Sequence, residues 1–141
     1  MIGQSIVDNI GADLEGSFGS MPGAISKGSA KFGELAAAKG MDGSAPYVGE
    51  SYDAAAIIAL AIQAGGSADK QSILKNIGKV SNAPGIIINP GQSYGLQMLA
   101  EGKDINYQGA TDVEFNALGD AAGAFKELEV SGGAFVTVGA L

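Results

Sequence analysis

The segment INYQGATDVEFNALGD, residues 105–120, carries the most distinctive local pattern of this sequence. It opens like a β-strand and then gathers acids and amides: Asp112, Glu114 and Asn116 stand at alternate positions, and Asp120 follows. Such a cluster fits a metal-binding loop, a pair of catalytic carboxylates, or a solvated loop beside a site formed elsewhere.

The calcium-loop interpretation fails on spacing. An EF-hand loop places acids at its first, third and fifth positions, glycine at the sixth and glutamate at the twelfth. Counted from Asp112, the sixth position is Ala117 and the twelfth is Gly123. Alternation along a strand would instead put Asp112, Glu114 and Asn116 on one solvated face. The sequence therefore predicts exposed acids and no metal site in this segment.

Composition removes several functional classes at once. The 141 residues suffice for one domain with a hydrophobic core, and neither cysteine nor histidine occurs. Their absence excludes thiolate nucleophiles, Ser-His-Asp triads, disulfides and zinc sites of the usual kind. A net charge of −7, with only 8 unclustered Lys and Arg, argues against a nucleic-acid partner.

Enzyme signatures are missing as well. The chain has no G-x-S-x-G elbow, no Walker A loop and no G-x-G-x-x-G after a strand. Its 15 acids permit many carboxylate pairs, but nothing in the sequence places two of them across a cleft. We expect no enzyme and no cofactor; a hydrolase that uses carboxylates alone is the weakest of the alternatives.

Hydrophobic periodicity and glycine positions predict the elements around this segment. The chain is expected to form helices near residues 26–39, 51–66 and 67–80, and a closing β-hairpin from AFKELEV and AFVTV around Ser131-Gly132-Gly133. APYVG, residues 45–49, predicts a short strand at most.

The helix after APYVG has an unusual composition. Ser51 suits an N-cap, and Asp53 would complement the positive end of the helix dipole. The following run, Ala54–Ala64, is apolar on nearly every side, which predicts a helix covered all round. The run is shorter than the ~20 residues of a membrane span, and no signal-peptide pattern opens the chain.

Together these elements indicate an α/β fold with several helices and few short strands. The helices need more sheet than the predicted strands supply. Either the core is irregular, or the chain is part of a larger protein or assembly.

The order of five segments resembles the C-terminal part of a known family: the type I periplasmic solute-binding proteins of ABC importers, in particular the branched-chain amino-acid and amide binders. The segments are LEGSFGSMP, APYVGESYDAAAIIALAIQAGG, SILKNIGKV, GKDINYQGATDVEFNALGDAAGAF and FKELEVSGGAFVTV. Two positions depart from the family pattern, since Asp112 stands where glycine is frequent and Asn116 where aspartate is usual.

The resemblance implies a partial venus-flytrap fold that ends in a β-hairpin. Residues 1–22 would be a remnant of the C-terminal lobe, residues 23–121 the C-terminal part of the N-terminal lobe, and residues 122–141 the closing hairpin of the C-terminal lobe. It further implies a periplasmic protein that hands a small amino-acid-like ligand to a membrane permease.

Four residues are the candidate ligand-binding set under this resemblance. Tyr47 matches an aromatic that borders the ligand, while Glu50, Ser51 and Tyr52 lie at the turn into the helix, where α/β sheets bind ligands. Each also has a structural interpretation: Tyr47 as a half-buried strand-end residue, Ser51 as a cap, Glu50 as solvated and Tyr52 as packed. The family's acidic anchor for the ligand ammonium would fall at or before Met1, so we expect the isolated chain to be impaired in binding.

Two hypotheses from different classes follow. The first is a fragment of a solute-binding protein, and the second is a stand-alone α/β oligomerisation or interaction domain without a ligand. Because incomplete lobes expose strand edges, the chain is also expected to form homo-oligomers.

Overall fold

The computed structural model describes residues 4–140, so the predictions that fall on residues 1–3 and 141 lie outside the described part. The helices are α1 (Gln4–Ile10), α2 (Lys27–Ala37), α3 (Val48–Gly65), α4 (Lys70–Ser81) and α5 (Tyr94–Ala100), with a 3₁₀ turn at Gly11–Leu14. The strands are β1 (Phe18–Pro22), β2 (Ile86–Ile88), β3 (Ile105–Tyr107), β4 (Phe125–Ser131) and β5 (Ala134–Ala140). Within residues 4–140, no helix has the length and apolarity to cross a membrane.

One end of the molecule is a three-stranded antiparallel sheet in the order β1-β4-β5. The predicted hairpin is confirmed: Gly132 and Gly133 form its turn at φ 62° and 77°, where non-glycine residues are strained. Helix α1 lies against this sheet, with Val7 buried and the Gln4 amide donating to the Gly133 carbonyl at 3.0 Å.

The larger part of the chain packs helices on a parallel pair of strands, β2 and β3. Its main core joins side chains from α3, α4, both strands and the turn after β3: Ile57, Leu60, Ala61, Val80, Ile88, Ile105, Tyr107 and Val113. Helix α2 is capped by Ser26, whose hydroxyl accepts from the Ser29 N–H, and it packs through Phe32 and Ala36 on Ala110.

Two connecting segments link the sheet to this helical part. Residues 22–24 and 121–125 run side by side, with Pro22 paired to Phe125 and the Gly23 N–H donating to the Ala124 carbonyl at 2.9 Å. We call these two segments the hinge segments. The assignment of the parts they join to two lobes stays a prediction.

The beginning of α3 corrects two predictions. APYVG is not a strand, because α3 already begins at Val48, and Ser51 is not its N-cap. The N-cap is Tyr47, whose side chain makes no capping bond. The Ser51 hydroxyl instead donates back to the Tyr47 carbonyl at 2.8 Å, a bond from within the first turn of the helix.

Helix α3 is also not covered all round. Its inner face is buried, but Ile58 is 45% exposed on the opposite face, beside exposed Ala55 and Ala59.

The segment after β3 is an irregular turn. Asp112, Glu114 and Asn116 are exposed as predicted, but not as part of a strand: Asp112 has φ 51° and only Phe115 forms a bridge, to Ala121. The described residues hold no group of three or more acidic side chains that would suit a metal ion.

Candidate functional site

A cavity of 430 Å³ lies between the first half of α3 and the hinge segments. We call it the hinge cavity. Its walls are mostly apolar, and they combine residues from α3, the turn after β3 and both hinge segments: Pro22, Gly23, Ala24, Tyr47, Glu50, Asp53, Ala54, Ile57, Thr111, Val113, Phe115 and residues 121–125.

Tyr47 borders the hinge cavity and stands out by its backbone. Its φ of 64° lies in the left-handed region, which costs an aromatic residue about 1–2 kcal/mol. The side chain is 53% exposed, so little burial offsets that cost. Tyr47 also lines a second cavity, of 160 Å³, with Met21, Leu128 and Phe135 of the three-stranded sheet. A strained, exposed aromatic residue between two parts of a protein is typical of a functional position.

Glu50 is the less buried of the two acidic residues in the cavity wall, the other being Asp53. It is half-buried and lines both the hinge cavity and a smaller cavity of 40 Å³, which it shares with Lys126 of β4. Neither Glu50 nor Lys126 belongs to an ion pair in the part of the chain that is described; those found there are Lys31–Glu34 and Lys103–Glu101.

Ser51 and Tyr52 point elsewhere. Ser51 is bound to the Tyr47 carbonyl, and Tyr52 packs at 5.1 Å on the Phe32 ring while its hydroxyl accepts from the Gly91 N–H at 3.1 Å. Tyr52 lines a separate 200 Å³ crevice between α3 and α5. Of the four candidate residues, the structure brings only Tyr47 and Glu50 to the hinge cavity.

Asp53 is the residue that sequence reasoning misjudged. It does not face solvent at the helix N-terminus but is 2% exposed, and its carboxylate accepts four hydrogen bonds from the last residue of β3 and the turn that follows. The donors are the Tyr107 hydroxyl (2.8 Å), the Ala110 N–H (2.8 Å), the Thr111 N–H (2.9 Å) and the Thr111 hydroxyl (2.7 Å). We call this arrangement the Asp53 lock.

A glycine in the turn leaves room for the Asp53 carboxylate. Gly109 has φ 64°, and a Cβ at this position would overlap the Asp53 carboxylate. Burial, and then the negative charge of Asp53, raise the pKa of the Tyr107 phenol far above its ordinary value of 10.0. The lock holds Thr111 and the first turns of α3 together, so it fixes one wall of the hinge cavity.

A sequence signal for Asp53 existed. It is the single charged residue between Glu50 and Asp69, next to an almost wholly apolar run. An acid so placed is rarely exposed when the rest of its helix face is buried, and burial then requires donors. Lys126 gave no such signal, because it lies on β4, 76 positions along the chain from Glu50, with which it lines one cavity.

Comparison with known proteins gives one fold match. No protein-family model matches the chain, and no curated protein does. Among solved structures, the chain is similar to the leucine-binding protein LivK from Thermotoga maritima, with a TM-score of 0.65 and 19% sequence identity. The match covers 99% of this chain and 34% of that chain, so this chain spans about one third of the length of its structural neighbour. At this identity the likeness concerns the fold: the chain has the α/β fold of a partial periplasmic-binding-protein lobe, with several helices, few strands and a closing hairpin.

Proposed function

We propose that this chain is part of an extracytoplasmic solute-binding protein that captures amino acids or related small amides for an ABC importer. In this proposal residues 1–22 and 122–141 belong to one lobe and residues 23–121 to the other. The hinge segments then connect the lobes, and the hinge cavity opens between them. A solute binder of this kind makes and breaks no covalent bond, and closure of its lobes presents the loaded form to a membrane permease.

The observation that carries the proposal is the position of Tyr47. It stands in a strained conformation at the border between the helical part and the three-stranded sheet, lining cavities on both sides. Stability alone would favour glycine at this φ, so the side chain itself has a role there. The fold match with a leucine-binding protein supports the same proposal.

The lining of the hinge cavity suits an amino-acid-like solute. Apolar side chains such as Ile57, Phe115 and Phe125 suit an aliphatic side chain, and the Tyr47 ring offers a flat wall. Glu50 supplies a carboxylate for an ammonium group. Lys126 does not line the hinge cavity, but it lines the 40 Å³ cavity that Glu50 also borders, where it supplies an ammonium for a carboxylate.

We expect the isolated chain to bind weakly. It spans about one third of its structural neighbour, and each charge-assisted hydrogen bond that the missing part would have supplied is worth about 1.5–3 kcal/mol. Loss of two such bonds weakens binding by roughly 10²–10⁴-fold.

Titration calorimetry with leucine, valine and short amides tests this expectation. At solute concentrations up to about 0.1 mM, far below a millimolar Kd, we expect no saturable heat. Tight binding by the isolated chain would refute the claim that most of the binding groups lie outside it.

A stand-alone interaction domain is the second candidate, favoured by the uncovered face of α3. In that case solute would have no effect at any concentration, and self-association would be the activity of the chain. Both candidates share the expectation that the isolated chain forms homo-oligomers.

A further inference from the structure

Two opposite charges lie on either side of the hinge segments. Glu50 belongs to the first turn of α3, and Lys126 follows directly after the second hinge segment, as part of β4. Both side chains are half-buried and line the same 40 Å³ cavity, whose other described lining residues are uncharged. The helical part and the three-stranded sheet therefore each contribute one charge to one small cavity.

Neither charge has an opposite charge elsewhere. The ion pairs found within residues 4–140 are Lys31–Glu34 and Lys103–Glu101, both between exposed side chains of the helical part. A half-buried charge has lost part of its hydration, and pairing with an opposite charge compensates for that loss. Among the described residues that line their cavity, Glu50 and Lys126 are each the only opposite charge for the other.

The Lys126 side chain extends along the hinge. A Cβ added to Gly23 would lie 3.1 Å from the Cε of Lys126 and 3.5 Å from its Nζ, so the end of the lysine passes next to this glycine. Gly23 has φ 144°, which non-glycine residues rarely adopt, and hinges absorb motion through φ and ψ changes at a few such positions. A rotation at Gly23 would therefore move Glu50, with the helical part, relative to the Lys126 ammonium.

We propose that Glu50 and Lys126 form an ion pair across the hinge, which stabilises a closed arrangement of the three-stranded sheet and the helical part. Within the described residues this pair is open, and rotation about the hinge segments closes it. Near a protein surface two unit charges attract each other several times more strongly than in bulk water. The pair therefore lowers the free energy of the closed arrangement relative to the open one.

Pulsed electron paramagnetic resonance measures the two arrangements. The chain contains no cysteine, so Leu74→Cys on α4 and Val136→Cys on β5 provide two defined sites for nitroxide labels. Both side chains are exposed, and neither lines the hinge cavity or the 40 Å³ cavity. Without solute, the distances between the two labels should fall into two components, one for each arrangement.

Removal of either charge should shift the ratio of the two components in the same direction. Lys126→Met keeps most of the side-chain length beside Gly23, and Glu50→Gln keeps the shape of the acid, so both variants remove charge with little change in packing. The expected shift is about 1.5- to 5-fold, the range for a partly exposed ion pair.

Two further variants separate pairing from other effects of charge. The charge swap, Glu50→Lys combined with Lys126→Glu, should restore the wild-type ratio, because it retains the attraction. Lys31→Met is the matched control: it breaks the ion pair with Glu34 inside α2 and should leave the ratio unchanged. Circular dichroism of each variant establishes that its helices are formed.

Salt provides an independent readout on the chain with its wild-type charges. Raising NaCl from about 0.1 M to about 1 M shortens the Debye length from roughly 10 Å to roughly 3 Å. The ratio of the two components should then shift in the direction of the two neutral variants. This measurement tests the pair even if a substitution prevents folding.

Three outcomes would overturn the proposal. The first is a distance distribution that responds neither to salt nor to the neutral variants, and the second is a charge swap that behaves like the single variants. The third is a shift in Lys126→Met without one in Glu50→Gln, which would indicate that Lys126 binds an anion from solution. No solute is present in these measurements, so their outcome is independent of the titrations that test the proposed function.

Discussion

Replacement of Asp53 by alanine tests the lock that joins α3 to the turn after β3. The substitution removes all four acceptor contacts while leaving a residue that favours helix. The Tyr107 hydroxyl and the Ala110 N–H then lose their partner, and both residues are only 3% exposed, so water does not replace it. Thr111 lies nearer the surface and can find water.

The magnitude follows from these contacts. Each buried donor left without an acceptor costs about 1–3 kcal/mol, and hydrogen bonds to a charged group are at the upper end. Two such donors, with a smaller loss at Thr111, lower the free energy of unfolding by about 3–5 kcal/mol. That is a large part of the 5–15 kcal/mol typical of a whole domain.

Urea unfolding followed by circular dichroism measures this loss. Asp53→Asn should fall between wild type and Asp53→Ala, because the amide oxygen can accept from part of the donor set while the NH₂ group faces the others. Asp69→Ala is the matched control: Asp69 also accepts two N–H groups, from Gln71 and Ser72, but as the exposed cap of α4, and should cost about 1 kcal/mol. A loss at Asp53 no greater than that at Asp69 would refute the lock.

Three further predictions concern conformation and pH. Tyr47→Gly should raise the free energy of unfolding by about 0.5–1 kcal/mol, because glycine adopts φ 64° without strain. Tyr47→Ala should show no such gain, and equal free energies of unfolding for the two variants in urea would contradict the assigned strain. Asp112→Gly should stabilise by a similar or smaller amount, about 0.5 kcal/mol, since Asp112 has φ 51° and aspartate tolerates that region better than tyrosine. The raised pKa of Tyr107 stabilises the folded state fully below pH 10.0, and this contribution falls above pH 10.0 by up to about 1.4 kcal/mol per pH unit. In Tyr107→Phe, the free energy of unfolding measured in urea should therefore fall less steeply with pH above 10.0. An unchanged pH dependence would contradict this assignment.

Local signals predicted much of the fold. The Gly132-Gly133 turn and the alternating strands beside it specify the hairpin, and Ser26 with Ser29 specifies the start of α2. These features depend on residues within a few positions of one another, which is why the sequence is enough to find them.

The start of α3 could not be predicted from local signals. Pro46, Tyr47 and Val48 favour extended structure, and a tyrosine at positive φ is too rare to expect. The surroundings impose that conformation: Val48 is helical, and the Ser51 N–H and hydroxyl both bond to the Tyr47 carbonyl. The candidate set of four residues consequently divides, with Tyr47 and Glu50 on the hinge cavity and the other two turned away.

The Asp53 lock explains why two sequence segments belong together. The helix sequence SYDAAA supplies the acceptor, and YQGAT, which begins with the last residue of β3, supplies all the donors, 54–58 positions further along the chain. Taken alone, the helix segment predicts an acid that interacts with the helix dipole, and the second segment predicts a polar turn. Their main role is a long-range contact, which the residues next to each segment in the sequence do not predict.

The most direct test of the solute-binding proposal is an NMR titration of the ¹⁵N-labelled chain with leucine into the tens of millimolar. The proposal predicts weak, saturable shifts, with a Kd of about 1 mM or above, centred on the amides of Tyr47, Glu50 and residues 121–125. They should vanish in Tyr47→Ala, while Tyr94→Ala, on α5 and outside the hinge cavity, should retain them. Shifts absent from the hinge cavity, or unchanged by Tyr47→Ala, would contradict the proposal.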